Sequence, residues 1–194
     1  MSAPSLNQSP RKNNGWKSIV IWALLALFLR WQVLEPRWIP SGSMLPTLQI
    51  EDKILIEKIR PRLNQVLHKH LNHEDLVIFK PPEKLIAAGY DDRSALIKRI
   101  VGIPGDQIEI KEGKLFRNGI LIKEAWTQEP MNYSMDPIIV PTNSLWVLGD
   151  NRNNSLDSHF WGPLPEKNVI GTAILRYWPI KKLGPIRFPP PSKI

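Results

Sequence analysis

The chain has 194 residues, no cysteine, and 26 basic against 18 acidic side chains, for a formal net charge of +8. The lack of cysteine excludes disulfides, thiolate catalysis and cysteine-ligated zinc sites. Because the surplus positive charge lies in residues 1–17 and 176–194, the composition disfavours a nucleic-acid-binding protein. It suits contact of the two ends with anionic lipid at least as well.

The first predicted element is a membrane anchor over residues 16–36, which follows a basic segment of residues 1–15. Its centre is the apolar run SIVIWALLALFL, and tryptophans flank it as they flank membrane spans. A cleaved signal peptide is disfavoured because no small-x-small cleavage site follows, and a buried core helix fits the tryptophan-rich flanks poorly. Basic residues before the span predict a single-pass protein with a cytoplasmic amino terminus and its catalytic domain on the extracytoplasmic side, in the periplasm or a thylakoid lumen.

Residues 37–180 are predicted to form one mainly β, antiparallel domain. Short apolar runs rich in branched side chains alternate with turn residues. The pair Asn118-Gly119 between two such runs predicts a hairpin. The pattern leaves a barrel and a sandwich both open, and residues 60–73 fit either a helix or a loop. The proline-rich basic tail, residues 181–194, is expected to be irregular.

Two serines follow the predicted anchor in residues 39–48, IPSGSMLPTL. This segment is either a rigid linker or a stiff turn that exposes a nucleophilic serine beside groups able to bind an oxyanion. A serine hydroxyl needs a base, and the chain offers two kinds. His159 lies two residues from Asp157 and could complete a Ser-His-Asp set.

The other candidate base is Lys98, in the apolar run ALIKRIVG. On a strand, Lys98 and Arg99 face opposite ways, so one cation must lie against apolar surface or leave the sheet. Burial disfavours the ammonium form, and a neutral lysine amine could act as a general base, which arginine cannot. The pattern alone does not show which cation faces inward.

Two further polar segments are candidates for support or binding. In residues 149–162, GDNRNNSLDSHFWG, the charged groups Asp150, Arg152, Asp157 and His159 alternate in sign and are expected to cross-link one another. The histidines of residues 67–75, LHKHLNHED, are expected to be solvated, because no carboxylate arrangement beside them makes a strong metal site.

Together, PSGSMLPTL, KRIVGIPGD and GDNRNNSLDSHFWGPL resemble the nucleophile, lysine and carboxy-terminal boxes of the type I signal peptidases. These are membrane-bound serine proteases that remove signal peptides from exported preproteins. The resemblance covers residues 16–180 and is closest in form to compact cyanobacterial and thylakoid members. It implies the family's β fold, a Ser-Lys dyad, cleavage after small residues, and no metal or other cofactor. The implied partners are signal peptides and membrane lipid, with no nucleic acid.

The resemblance also implies the role of each matching residue. Ser43 corresponds to the nucleophile and Lys98 to the general base, while Ser41 and the backbone N–H of Ser43 would bind the oxyanion. Ser155 would orient the lysine amine, with Asp157 and Arg152 in the supporting network. The substrate pockets would be lined by Ile39, Met44, Leu48 and Ile97.

His159 departs from the resemblance, since many members have arginine there to pair with the aspartate. A histidine is only partly charged at pH 7. Two other functions compete with the serine–lysine peptidase: a Ser-His-Asp hydrolase that uses His159, and a membrane-anchored module that grips peptides without cutting them. A self-cleaving repressor is disfavoured because the apolar run occupies the place of a DNA-binding domain.

Overall fold

The computed structural model describes residues 15–67 and 71–186. It is mainly β, with twelve antiparallel strands in the described ranges, as the sequence predicted. The strands are β1 (Leu34–Trp38), β2 (Lys53–Glu57), β3 (Leu76–Phe79), β4 (Leu96–Gly102), β5 (Gln107–Lys111), β6 (Lys114–Arg117), β7 (Ile120–Leu121), β8 (Met135–Ile139), β9 (Ser144–Leu148), β10 (Leu164–Pro165), β11 (Val169–Trp178) and β12 (Gly184–Pro185). The helices are α1 (Gly15–Val33), α2 (Ile59–Val66), α3 (Glu83–Ala87) and α4 (Ser158–Trp161).

The strands form two sheets. The larger has the order β1-β2-β11-β3-β4-β9-β10, with β12 added beside β11, and the smaller has the order β7-β6-β5-β8. Across the described ranges, the end strands β1 and β10 of the larger sheet do not pair, so this sheet is not a closed barrel. Three clusters of buried apolar side chains form the core.

The branched apolar runs of the sequence become the strands of these sheets, because such side chains pack well on a pleated surface. The predicted hairpin is confirmed. Asn118 and Gly119 both have positive φ, 54° and 75°, and join β6 to β7 in a two-residue loop. This is the geometry that an Asn-Gly pair adopts readily. The segment left open between helix and loop contains α2.

The predicted anchor of residues 16–36 is only partly helical. Helix α1 ends at Val33, and residues 34–36 belong to β1, where they pair with β2. Neither described range contains a helix with both the length and the apolar character that crossing a membrane requires. The span predicted from the sequence is therefore not confirmed.

The sheet also extends past the predicted domain boundary at residue 180. Strand β12 pairs with β11, with Gly184 opposite Arg176, so the start of the tail is ordered by backbone hydrogen bonds. Residues 1–14 of the predicted basic segment and residues 187–194 of the tail lie outside the described residues.

Candidate active site

Ser43 lies in a short 3-10 turn, Gly42–Met44, which residues 39–41 connect to β1. The turn is closed by a hydrogen bond from Leu45 N to the carbonyl of Gly42 at 3.1 Å, and Met44 is completely buried beneath it. Ser43 is half-buried and Ser41 exposed, and their Oγ atoms are 3.5 Å apart. A buried neighbour thus holds the turn while a hydroxyl stays accessible from solvent.

Lys98 reaches this turn from the interior of the larger sheet. Strand β4 is hydrogen-bonded to β3 on one side, where Val77 is the cross-strand partner of Lys98, and to β9 on the other. Lys98 is only 2% exposed, and its Nζ atom is 2.7 Å from the Oγ atom of Ser43. The structure therefore brings together two residues that are 55 positions apart in the chain.

Burial lowers the pKa of Lys98 from 10.5 to about 8, against the opposing influence of the carboxylates of Asp157 and Asp150. The physical cause is that an ammonium ion loses far more hydration free energy in the interior than the neutral amine does. A lysine with this pKa has an appreciable neutral fraction near neutrality. At hydrogen-bond distance from a serine hydroxyl, such an amine can accept the hydroxyl proton.

The second cation of β4, Arg99, is also buried, at 1% exposed. Its Nε and Nη2 atoms donate to the two carboxylate oxygens of Asp150, at 2.7 and 2.6 Å, and its Nη1 donates to the carbonyl of Glu74. Thr47 Oγ1 donates to the same carboxylate at 2.5 Å. This paired geometry compensates a charge that could not otherwise be buried.

The loop after β9 contacts the serine turn through Asn151. The backbone N–H of Asn151 donates to the carbonyl of Ser43 at 3.1 Å, and its side-chain Nδ2 donates to the carbonyl of Gly42, also at 3.1 Å. Gly149 permits this approach, because a Cβ atom there would come within 2.6 Å of the Ser43 carbonyl oxygen and 2.2 Å of Ser155 Oγ. The loop therefore binds the backbone carbonyls of the candidate nucleophile, Ser43, and of the residue before it.

The expected cross-links within this loop are largely wrong. Asp150 pairs with Arg99, and Arg152 pairs through Nη1 and Nη2 with both carboxylate oxygens of Glu124, at 2.5 and 2.6 Å. Only Asp157 and His159 pair with each other. The 3-10 turn Arg152–Asn154 begins two residues after Asp150, and the side chains of Asp150 and Arg152 take partners on distant segments.

His159 is held between a carboxylate and an aromatic ring. Its Nδ1 atom lies 2.6 Å from Asp157 Oδ1, and its ring stacks on Tyr133 with centroids 4.1 Å apart. The other oxygen of Asp157 accepts from the backbone N–H of Gly149 at 2.8 Å. Burial and the nearby Asp157 charge raise the pKa of Tyr133. His159 is therefore connected to the loop that carries Asn151 through Asp157.

Ser155 differs from its expected role. Its Oγ atom is buried and has no hydrogen-bond partner among the described residues. The hydrogen bond from Ser155 to the lysine amine is thus absent. Ser155 packs against Gly149 instead. Its Oγ atom is the nearest neighbour that a Cβ atom at Gly149 would meet, at 2.2 Å.

Of the four predicted pocket residues, Ile39 and Ile97 line a cavity of about 260 Å³ beside the serine turn. Met44 and Leu48 are completely buried in the adjoining core cluster and are not part of the cavity lining. The cavity lies between residues 37–40, at the end of β1, and residues 94–97, at the start of β4.

The remaining histidines form no metal site in the described ranges. His73 pairs with Asp106, with Nε2 and Oδ2 2.6 Å apart, and residues 15–67 and 71–186 contain no group of three potential ligands. His68 and His70 lie outside the described residues.

Three contributors were missed at the sequence level. Nothing in the motif around Asn151 indicates its hydrogen bond to the Gly42 carbonyl. Glu124 lies 28 residues before its partner Arg152. Arg99 was considered only as the alternative to Lys98 for the buried cation, and not as the partner of Asp150. One signal could have identified Arg99, because a buried arginine requires a carboxylate partner.

Comparisons with known proteins agree on one family. The family model described as "Signal peptidase, peptidase S26" matches residues 13–178. A signal peptidase I of Leptolyngbya laminosa is 43% identical over 178 residues, which cover 92% of this chain and 85% of that protein. A probable thylakoidal processing peptidase of Arabidopsis thaliana is 44% identical over 162 residues, covering 84% of this chain and 43% of that protein. A crystal structure of a signal peptidase I from Enterococcus faecalis has 24% identity and a TM-score of 0.45, covering 54% of this chain and 97% of that chain.

Proposed function

This chain belongs to the signal peptidase family, peptidase S26, and from that premise we propose that it cleaves signal peptides from exported preproteins with Ser43 as nucleophile and Lys98 as general base. One observation carries the assignment of the two residues. The Nζ atom of Lys98 lies 2.7 Å from Ser43 Oγ, and burial lowers the lysine pKa to about 8.

In the proposed reaction, the neutral amine of Lys98 accepts the proton of the Ser43 hydroxyl as Oγ attacks the scissile carbonyl carbon. The oxyanion that forms binds the backbone N–H of Ser43 and the hydroxyl of Ser41, whose Oγ is 3.5 Å from Ser43 Oγ. The protonated amine then gives its proton to the leaving amine, and an acyl-enzyme remains. Lys98 next deprotonates a water molecule, which attacks the ester and frees Ser43.

The proposed substrate site is the cavity lined by Ile39 and Ile97. In the described ranges β1 pairs only with β2, so its other backbone edge is unpaired. The pairing of β4 with β9 begins at Arg99, so residues 94–97 also have one unpaired edge beside the cavity. An extended peptide can add to such edges as an extra strand. The apolar lining of the cavity favours small uncharged side chains before the cut.

The test is cleavage of a purified preprotein by wild type, Ser43→Ala, Lys98→Ala and His159→Ala. The proposal expects loss of turnover in the first two variants and residual turnover in the third. Full activity of Lys98→Ala would contradict the lysine mechanism. Complete loss in His159→Ala with activity in Lys98→Ala would favour a Ser-His-Asp hydrolase. An inactive wild type that still binds the peptide would favour a non-catalytic module.

The proposal includes attachment to a membrane. Helix α1 exposes large apolar side chains, among them Ile19 at 70% and Trp22 at 68%. Trp38 and Trp178, both partly exposed, lie opposite Lys53 on neighbouring strands at one end of the larger sheet. Exposed tryptophan beside lysine is a composition that suits the membrane–water interface.

Flotation of the full chain with vesicles tests this attachment. Wild type is expected to float with vesicles that contain anionic lipid, and the variant Leu24→Lys/Leu27→Lys in α1 is expected to float less. Ile120→Lys is the control, because Ile120 is 69% exposed on the distant β6–β7 hairpin. Equal flotation of all three proteins would contradict attachment through α1. The orientation inferred from the basic leader stays a prediction.

A further inference from the structure

The lining of the cavity beside the serine turn is mostly apolar, and its polar side chains are Arg37, Tyr90 and Ser94. Ile54 and Ile78 line its inner wall together with Ile39 and Ile97, and all four are buried. Arg37 also lines it and is the one arginine in that lining. The cavity thus presents one cationic side chain to whatever peptide segment it holds.

Arg37 lies on the apolar face of β1. It is two residues before Ile39, so the two side chains share a face, and its cross-strand partner is Ile54, which is completely buried. Trp38, the next residue, is 62% exposed. The register therefore directs the arginine stem along the cavity wall, as long cationic side chains commonly lie along apolar surface.

The hydrogen-bonding capacity of Arg37 is only partly used. Its Nη2 atom pairs with Glu35 Oε1, and Glu35 Oε2 lies 3.3 Å from Lys58 Nζ. The Nε atom of Arg37 is buried and has no hydrogen-bond partner among the described residues. That atom has almost no accessible surface, but the Arg37 side chain as a whole is 37% exposed. The accessible N–H groups of its guanidinium can therefore donate to an acceptor oxygen of a bound peptide.

An extended substrate could bring such an oxygen to Arg37. Alternate side chains of a strand share a face and lie about 7 Å apart. If the residue before the cut occupies the space beside Ser43 and Ile39, the third residue before the cut lies one such step toward Arg37. The cavity of about 260 Å³ has room for more than a methyl group at that position.

We infer that Arg37 is a specificity residue, which makes this peptidase prefer a side chain with an acceptor oxygen, such as threonine or serine, at the third position before the cut. The inference rests on the proposed function, because it takes the cavity as the site of the residues before the cut. It adds a charged hydrogen-bond donor to a pocket whose inner wall is formed by isoleucines and whose other polar lining residues, Tyr90 and Ser94, carry only hydroxyls.

The experiment uses two peptide substrates that differ only at the third position before the cut, one with Thr and one with Val. These side chains have nearly the same shape and differ in one hydroxyl. Wild type, Arg37→Met, Arg37→Lys and the control Arg93→Met are compared by kcat/KM. Arg93 is a suitable control because its side chain is 87% exposed and pairs with Asp91 on the surface.

Wild type is expected to cleave the Thr peptide about three- to tenfold faster than the Val peptide, the effect of one hydrogen bond of ordinary net strength to a partly exposed donor. The ratio should fall to about one in Arg37→Met, stay reduced in Arg37→Lys, and be unchanged in Arg93→Met. A wild-type ratio of one or less would overturn the inference even if Arg37→Met does not fold. A ratio that survives in both Arg37 variants would also overturn it. If wild type cleaves neither peptide and also fails on a preprotein, the proposed function itself fails.

Discussion

Lys98 and Arg99 are neighbours on β4, and both are buried, at 2% and 1% exposed. Each has its own polar partner: Ser43 Oγ lies 2.7 Å from the lysine Nζ, and Asp150 accepts two hydrogen bonds from the arginine. The sequence required only one of the two cations to meet apolar surface. The structure buries both, and it leaves the one that can lose its proton next to the serine.

The contrast between the two partners explains the division of roles. Arg99 remains charged and is neutralised by a carboxylate, so it contributes to holding Asp150 and the loop that follows. Within residues 15–67 and 71–186, Lys98 has no carboxylate at hydrogen-bond distance, and burial lowers its pKa to about 8. A general base requires this second environment.

The pH dependence of cleavage follows from Lys98. In the proposed reaction the neutral amine is the active form, and its pKa is about 8, so kcat/KM should rise with pH and approach a plateau above that value. Below it the rate should fall about tenfold per pH unit. The measurement is a pH profile of kcat/KM between pH 5.5 and about 9.5. A profile that is flat, or that falls with rising pH across this range, would contradict the role of Lys98.

Lys98→Met should stabilise the protein while it abolishes cleavage. Lowering the pKa from 10.5 to about 8 means that the buried ammonium costs the folded state about 3 kcal/mol, an upper estimate of the gain at pH 7. Between pH 8 and 10.5 the unfolded chain binds more protons at this lysine than the folded chain does, so wild-type stability rises with pH in that window.

The advantage of Lys98→Met over wild type should therefore shrink as pH rises through the same window. Urea unfolding at pH 7 and near pH 10 measures it. The exposed Lys111→Met is the control and should show no such change with pH. A destabilised Lys98→Met at pH 7 would argue that the lysine amine is stabilised by its surroundings.

Asp150→Asn should destabilise the fold strongly. The substitution keeps the size of the side chain but leaves the buried guanidinium of Arg99 without its counter-charge. Breaking a buried pair in this way costs about 3–5 kcal/mol. The free energy of unfolding from denaturant titration measures it. Asp91→Asn, which breaks the exposed pair with Arg93, should leave the unfolding midpoint in place, and equal effects of both would contradict the buried pair's importance.

Asn151→Ala should lower kcat more than it raises KM. The side chain of Asn151 donates to the Gly42 carbonyl at 3.1 Å, so its loss loosens the turn that aims Ser43. Small displacements of a nucleophile lower rates by about ten- to a hundredfold. Asn153→Ala is the matched control in the same loop, because Asn153 bonds to Asn132 and Pro130 instead. Equal loss in both variants would point to general loop damage.

His159 should act through Asp157 and not on the substrate. His159→Ala is expected to retain measurable turnover, and His159→Arg to recover more of it, because arginine can donate to the same carboxylate. Steady-state kinetics of the three proteins on one preprotein measure this. If His159→Ala falls to background and His159→Arg does not recover, the histidine has a direct catalytic role.

Much of the fold could be read from the sequence, because local patterns specify local structure. Short branched runs with turn residues between them predicted the strands, and Asn118-Gly119 predicted the β6–β7 loop, since few other residue pairs accept two positive φ angles. The helix–strand junction was missed: β1 is ordered by pairing with β2, and LEPRW has no strand pattern of its own.

The candidate site was identified in part for the same reason. Motif resemblance singled out Ser43 and Lys98, and the apolar context of Lys98 predicted a lowered pKa. The supporting contacts were mostly predicted incorrectly. Charges near one another in residues 149–162 suggested internal pairs, but Asp150 and Arg152 find their partners on distant segments, at Arg99 and Glu124.

The sequence by itself determined the residue types, the family and the alternation that presents two cations on one strand. Only the tertiary structure decided that both cations are buried, that the amine of Lys98 lies against the hydroxyl of Ser43, and that Arg37 lines the cavity beside the serine turn. The physical reason is that burial, and with it every pKa shift and every pairing between distant residues, depends on which strands become neighbours. That choice is made by the packing of the whole sheet and not by any one segment.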